Sequence, residues 1–296
     1  MRRKHEENVR FFIEKRRNMC YTGSEFLTEV GFSLRIVVKV GTSTLAHAGG
    51  RLNIRCVETL CKVLSDLKND GNEVILVSSG AIGMGVGKLN LRERPTDMPT
   101  KQAAAAVGQC ELMYTYDKLF SEYNHTVAQI LLTGQDVGDE TRHAHFQNTL
   151  SRLLELGVLP IVNENDTVAT DEIVIGDNDT LGAIVACSVQ ADLLILLTDI
   201  DGLYTADPRR DPNAKLIPVV EHITPDVIAL ASGKGSALGT GGMITKLHAA
   251  QRCAEAGCDT VIANGAHPEI LYDILEGKAC GTRFLAEKKG EEHDNA

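Results

Sequence analysis

Six apolar runs of strand length punctuate the chain, at 34–40, 73–79, 126–133, 158–164, 192–199 and 259–265. They are continuous rather than alternating, which is what strands covered on both faces require. Between the first two runs, Ile54, Val57, Leu60, Cys61, Leu64 and Leu67 recur at helical spacing, with Gly71 just beyond as a stop signal. That pattern predicts a helix over 53–69, and similar patterns predict helices over 101–122, 141–156, 178–190 and 243–256. Strand, helix and strand in this order imply an α/β fold, a three-layer sandwich whose largely parallel sheet is covered on both faces. Within 165–177, short apolar segments on either side of Asp171 predict a hairpin inserted between a core strand and the next helix. Neither a repeat nor a Pro/Gly/Ser-rich linker divides the chain. One domain over 34–286 is expected, after a loosely attached extension (1–33) and before a charged, disordered tail (287–296).

Composition narrows the function classes. With 43% hydrophobic residues among 296, the chain can bury a sizeable core, built from aliphatics because aromatics are 4% and Trp is absent. A formal charge of -10 argues against non-specific nucleic-acid binding, though not against a small nucleotide site with local cations. No apolar stretch reaches the length of a membrane span. The first 30 residues carry acids among their bases, unlike a transit peptide, and a cytoplasmic location is expected. Eight Cys contain no CxxC pair, and the two CxxxxC spacings lack a nearby His, so reduced buried thiols are expected rather than zinc.

The ends of the predicted strands are rich in Gly and hydroxyl residues. The first runs into Lys39-Val40-Gly41-Thr42-Ser43 and the second into Ser78-Ser79-Gly80-Ala81. Glycine lets backbone N–H groups approach and ring an anion. A third cluster, 239–246, is a glycine loop opening a helix, with Gly241, Gly242, Met243, Ile244 and Thr245 leading to Lys246. Loop amides, helix dipole and ammonium there favour an anion at one point. Neither a Walker A motif nor an intact GxGxxG is present: Gly87-Lys88 is followed by Leu89, and Leu238 stands where a third Gly would belong after Gly233 and Gly235.

The densest polar stretch, 163–179, carries Asp166 near a strand end and Asp177-Asn178-Asp179 at the next helix start. Asp177 alone suits an N-cap. Together the carboxylates and amides suit a zwitterion, acids taking an ammonium and amides a carboxylate. The following strand ends in Thr198-Asp199, with Asp201 before Gly202. His143 and His145 fall two apart on a helix and are expected at the surface.

The segments IVVKVGTSTL, ILVSSGAIGMG, NENDTVATDEIVIGDND, LLILLTDIDGLYTADPR and GTGGMITK, in this order, resemble the amino-acid kinase superfamily, and within it the branch acting on free glutamate. The resemblance spans about 34–286. It implies an open sandwich with an eight-stranded, mainly parallel sheet. The implied activity is ATP-dependent phosphorylation of the side-chain carboxylate of L-glutamate to L-glutamyl 5-phosphate, opening proline biosynthesis, with Mg²⁺ carried mainly by ATP. By motif position, Lys39, Lys246 and Asp179 are the implied catalytic residues. Ser79, Gly80, Asp166 and Asn178 are the implied glutamate contacts. Lys39, Gly41, Thr198, Asp199 and residues Thr240, Gly241, Gly242, Met243, Ile244, Thr245 and Lys246 are the implied nucleotide contacts. L-Proline is the implied feedback inhibitor, with Asp171 and Glu172 tuning it, a glutamyl-phosphate reductase the functional partner, and a homodimer or homotetramer the assembly. No RNA-binding-type PUA module, which many bacterial members carry after the kinase domain, is expected here. Two alternatives are a related kinase acting on N-acetylglutamate, aspartate or carbamate, and a non-catalytic nucleotide-binding regulator.

Overall fold

The computed structural model describes residues 33–47, 51–168, 177–231 and 242–287. The expected N-terminal extension up to residue 32, the hairpin with Asp171 and Glu172, the loop residues Thr240 and Gly241, and the tail from residue 288 lie outside the described residues.

The first half of the fold alternates strongly. β1 (Arg35–Val40) leads through α1 (Thr42–Leu45) to α2 (Ile54–Asn69) and β2 (Glu73–Ser78). Then come α3 (Ala81–Lys88), α4 (Met98–Ser121), β3 (Val127–Leu132), α5 (Gly134–Gly138), α6 (Glu140–Glu155) and β4 (Leu159–Glu164). The second half runs α7 (Asn178–Ser188), β5 (Leu193–Thr198), β6 (Val219–Val220), α8 (Pro225–Ala231), α9 (Met243–Glu255), β7 (Asp259–Asn264), α10 (Ile270–Leu275) and β8 (Thr282–Phe284). All six expected strands form, each within two residues of its apolar run. β6 and β8 were too short to carry a pattern.

The eight strands form one sheet in the order β3-β4-β2-β1-β5-β7-β8-β6. Neighbours are parallel except β7 and β8, so the sheet is open and mainly parallel. β1 lies between β2 and β5, with Ile36 opposite Val74 on one side and Leu193 on the other. Its side chains alternate between two cores. Ile36, Val38 and Val40 pack with Leu60 and Leu64 of α2 and Leu112 and Tyr116 of α4. Val37 faces the opposite layer, with Leu181 and Val185 of α7 and Leu247 and Ala250 of α9. Lys39 shares the face of Val37, so alternation aims it at α7 and α9.

α3 is a helix that intrinsic propensity opposes, since three of its eight residues are Gly. Packing explains it. A Cβ on Gly85 would lie 1.8 Å from the Ala104 carbonyl oxygen, and one on Gly108 would lie 1.7 Å from that of Ala81. Side chains at either position would force α3 and α4 apart. α4 starts at Met98, three residues earlier than its apolar pattern, because the Asp97 carboxylate accepts from the Thr100 N–H at 2.9 Å and caps it.

Candidate active site

β1, β2, β4 and β5 run parallel, so their carboxyl ends share one rim, where ligands sit in open α/β sheets. Lys39 is the penultimate residue of β1. α7 begins just after Asp177, whose carboxylate accepts from the Thr180 N–H at 2.8 Å, and this cap sets Asp179 in the first turn. α9 begins after Gly242 and sets Lys246 in its own first turn. The three side chains meet: Lys39 Nζ lies 2.8 Å from Asp179 Oδ1, and Lys246 Nζ lies 2.8 Å from Asp179 Oδ2. Exposures of 8% for Lys39, 1% for Asp179 and 5% for Lys246 place the whole group beneath the surface. The Oδ2 contact is a hydrogen bond, whereas the Oδ1 contact is an ion pair outside hydrogen-bond geometry. Burial alone would raise the Asp179 carboxyl, but the two ammoniums overcome it and hold the group below the usual carboxylate range. Among the described residues two ammoniums face this one carboxylate, at a point where two helices also present their N-termini.

Beside this triad runs a chain of side-chain amides. Asn178, next to Asp179 on α7, donates to Ser79 Oγ at 2.7 Å and to Asn163 Oδ1 at 3.0 Å. Asn163, on β4, donates to Gln109 Oε1 of α4 at 2.9 Å, and Gln109 Nε2 reaches Gln129 Oε1 of β3 at 3.4 Å. Ser79 is held through its N–H, which donates to the Val40 carbonyl at 3.1 Å. Gly80 then turns into α3 with φ 106°, a left-handed conformation that a Cβ would strain. The expected substrate residues Ser79, Gly80 and Asn178 are thus contiguous with the Lys39–Asp179–Lys246 group.

Asp166 lies two residues past β4, half-buried, and burial pushes its carboxyl up. No cation pairs with it among the described residues, so it is a desolvated anion suited to an incoming ammonium. Thr198 ends β5, buried, with its hydroxyl donating to Asp199 at 3.1 Å. Gly41 follows β1 directly, and Gly242, Met243, Ile244 and Thr245 form the entrance of α9. Thr245 Oγ1 stands 3.1 Å from Asp179 Oδ2 and 2.8 Å from the Gly242 carbonyl, tying that entrance to the triad. Asp201 accepts from both Tyr204 Oη and Asn264 Nδ2, at 2.9 and 2.8 Å, and pins the loop after β5.

Gln109, Asn163 and Tyr116 were not singled out as site residues. A signal existed for Gln109: it falls with Ala105, Leu112 and Tyr116 on the buried stripe of α4, where an apolar residue is expected. His143 is also placed differently from expectation. It is half-buried against α7, Nε2 3.1 Å from Ser188 Oγ and its ring edge-on to Phe146, while His145 is exposed. Among the described residues no three His, Cys, Asp or Glu side chains lie close enough to share a metal ion.

The chain belongs to the amino acid kinase family, whose model matches residues 34–264. The match therefore includes Lys39, the 163–179 stretch and Lys246. Its relatives include proteins named glutamate 5-kinase: one from Clostridium tetani, 54% identical over 270 residues, covers 91% of this chain and all of the relative. Another, from Listeria innocua, is 53% identical over 267 residues, covering 88% of this chain and 96% of the relative. Among solved structures, carbamate kinase from Giardia lamblia bound to AMP-PNP superposes with a TM-score of 0.64 at 17% identity, covering 86% of this chain and 99% of the other. Isopentenyl phosphate kinase from T. acidophilum gives 0.55 at 19% identity, over 84% and 99%. These two share the fold.

Proposed function

We propose that this chain transfers the γ-phosphoryl group of ATP to the side-chain carboxylate of L-glutamate, releasing ADP and L-glutamyl 5-phosphate. The observation that carries the reading is the buried group in which one carboxylate, Asp179, holds Lys39 from β1 and Lys246 from α9 at 2.8 Å each. A carboxylate nucleophile is already ionised at neutral pH, so no general base is required. What the protein supplies is alignment and cations matched to charge on the moving phosphoryl oxygens. Asp179, held ionised by its two partners, acts as the bracket that fixes the ammoniums and not as a proton acceptor.

Glutamate lies across Ser79, Gly80, Asn178 and Asp166, with the Asp166 carboxylate facing the α-ammonium. ATP lies across Gly41, Thr198, Asp199 and the 240–246 loop. Mg²⁺ suits this site as a companion of the ATP phosphates, screening their charge, because Asp179, the carboxylate that meets the lysines, is already engaged by both. Relatives of the same name at more than 50% identity support glutamate over N-acetylglutamate, aspartate or carbamate.

The product is a labile acyl phosphate, which a reductase is suited to consume. L-Proline is the proposed feedback inhibitor, with Asp171 and Glu172 as its tuning residues. A homodimer or homotetramer is the proposed assembly. No helix of the described residues is long and apolar enough to cross a membrane, and a cytoplasmic setting is proposed.

The test is ADP release from Mg-ATP with glutamate, N-acetylglutamate, aspartate and carbamate, hydroxylamine being present to trap acyl phosphates. Glutamate-dependent ADP with γ-glutamyl hydroxamate is expected. Turnover of another acid alone overturns the substrate, and silence on all four overturns the reaction.

A further inference from the structure

An asparagine amide has two N–H donors and one oxygen acceptor, so its hydrogen bonds give it a direction. In Asn163 that direction is fixed from both ends. The Glu164 main-chain N–H, which can only donate, points at Asn163 Oδ1 from 2.9 Å, and Gln109 Oε1 takes the Nδ2 hydrogen at 2.9 Å. Asn163 therefore offers only its oxygen to Asn178. Asn178 spends one N–H there and the other on Ser79 Oγ. Ser79 Oγ, having accepted, keeps its O–H to donate, and Asn178 keeps its Oδ1 to accept. One donor beside one acceptor complements a carboxylate beside an ammonium, the pair that distinguishes an amino acid from a plain diacid.

We propose that Gln109 is a positioning residue for the acceptor substrate: from behind the pocket it holds Asn163, and through it fixes which atoms of Asn178 and Ser79 meet the amino acid. Gln109 is 8% exposed and Asn163 3%, so an unanchored amide at either position has no water to fall back on. The helix that carries Gln109 supports the same strand end a second time. Tyr116, two turns further along α4, lies 2.8 Å from Ser78 Oγ. Ser78 in turn donates to the Ser79 carbonyl at 3.1 Å, so the tyrosine hydroxyl is the donor of the pair.

This inference rests on the glutamate reading above, and its test separates the two. KM and kcat are measured for glutamate, for glutarate (the same diacid without the α-ammonium) and for ATP. Gln109→Leu keeps the size of the side chain but leaves Asn163 Nδ2 buried without an acceptor. The glutamate KM is expected to rise about tenfold, with the ATP KM unchanged and the preference for glutamate over glutarate reduced. Gln109→Glu keeps an acceptor for Asn163, and exposed Gln129 is free to turn its amide toward it, so the glutamate KM is expected near the wild-type value. An unchanged glutamate KM and selectivity in Gln109→Leu overturn the proposal. So does a parallel loss of kcat, both KM values and melting temperature in both variants, which marks a merely structural residue. If Gln109→Leu does not fold, Gln109→Met carries the same comparison. Wild-type turnover of a different acid overturns the glutamate reading, and the variants then test Gln109 on the KM of that acid. A wild-type chain inactive on every acid overturns both.

Discussion

Lys39 and Lys246 stand at the two oxygens of one carboxylate, each 2.8 Å from Asp179, although one belongs to the first strand and the other to α9. The lysines bracket a single point on the sheet rim, so each is expected to face the phosphoryl group in flight. Lys39→Ala and Lys246→Ala should each lower kcat by a factor of about 10²–10³, the scale of one lost transition-state contact at about 2.7–4 kcal/mol. Steady-state kinetics with saturating ATP and glutamate measures this, and near-normal turnover in either variant removes that lysine from the transfer step.

Asp179→Asn removes the negative charge that Lys39 and Lys246 both approach at 2.8 Å. Breaking a buried pair on one side costs about 3–5 kcal/mol. Urea unfolding should show a loss of that order, together with loss of turnover. An Asn variant as stable as the wild type would mean that solvent reaches and screens the lysines.

The carboxyl groups of Asp179 and Asp166 are shifted in opposite directions from the ordinary aspartate range. Asp179 is held below its ordinary range, so its contribution to stability is complete above the unfolded-state value of about 3.9 and disappears as pH falls through the lower folded value. Asp166 is raised by burial, so it takes up a proton at a higher pH than an unfolded aspartate and then loses its attraction for an ammonium. The glutamate KM should therefore climb as pH is lowered toward the carboxylate range, before the fold fails. Asp166→Asn should raise the KM and flatten this climb. A climb that persists in Asp166→Asn assigns it to another group.

Gly85 and Gly108 form the seam between α3 and α4. Gly108→Ala places a methyl 1.7 Å from the Ala81 carbonyl oxygen, so α3 must move, and α3 starts at the Ser79-Gly80 turn. A loss of about 1–3 kcal/mol is expected from the overpacking, together with a raised glutamate KM. Gly138→Ala, where nothing lies within 4 Å of the added carbon, is the control and should change neither.

Thiol reactivity should divide by burial. Cys110 is exposed on α4, whereas Cys56, Cys61, Cys253 and Cys258 are buried, and burial pushes the Cys61 thiol up. Alkylation near neutral pH followed by mass mapping should label Cys110 well before these four. Early labelling of Cys61 would show that the α2 layer opens in the native state.

The strands were legible because a strand covered on both faces writes itself as an unbroken apolar run, as in 193–198, where every residue is buried. The lysines and Asp179 were legible through their place in motifs, not through any pattern that fixes a distance. α3 was not legible, since three glycines oppose a helix and only contact with α4 explains it. Gln109 was hidden for the opposite reason: its neighbours read as an ordinary helical core stripe, and its partner Asn163 lies 54 positions away. His143 belongs with it, because docking of α6 on α7, rather than helical periodicity, decides how exposed it is.

The position of β1 between β2 and β5 has a consequence in time. On one side it can pair as soon as Glu73 is made, but on the other Ile36 must wait for Leu193, about 157 positions later. At translation rates of about 5–20 residues per second, that edge stays open for roughly 8 to 31 s. An apolar strand edge left open is a template for pairing with another chain. Newly made copies crowded on one messenger are therefore most at risk in this interval. The arrival of α7 and β5 ends it, and brings Asp179 to Lys39 in the same movement.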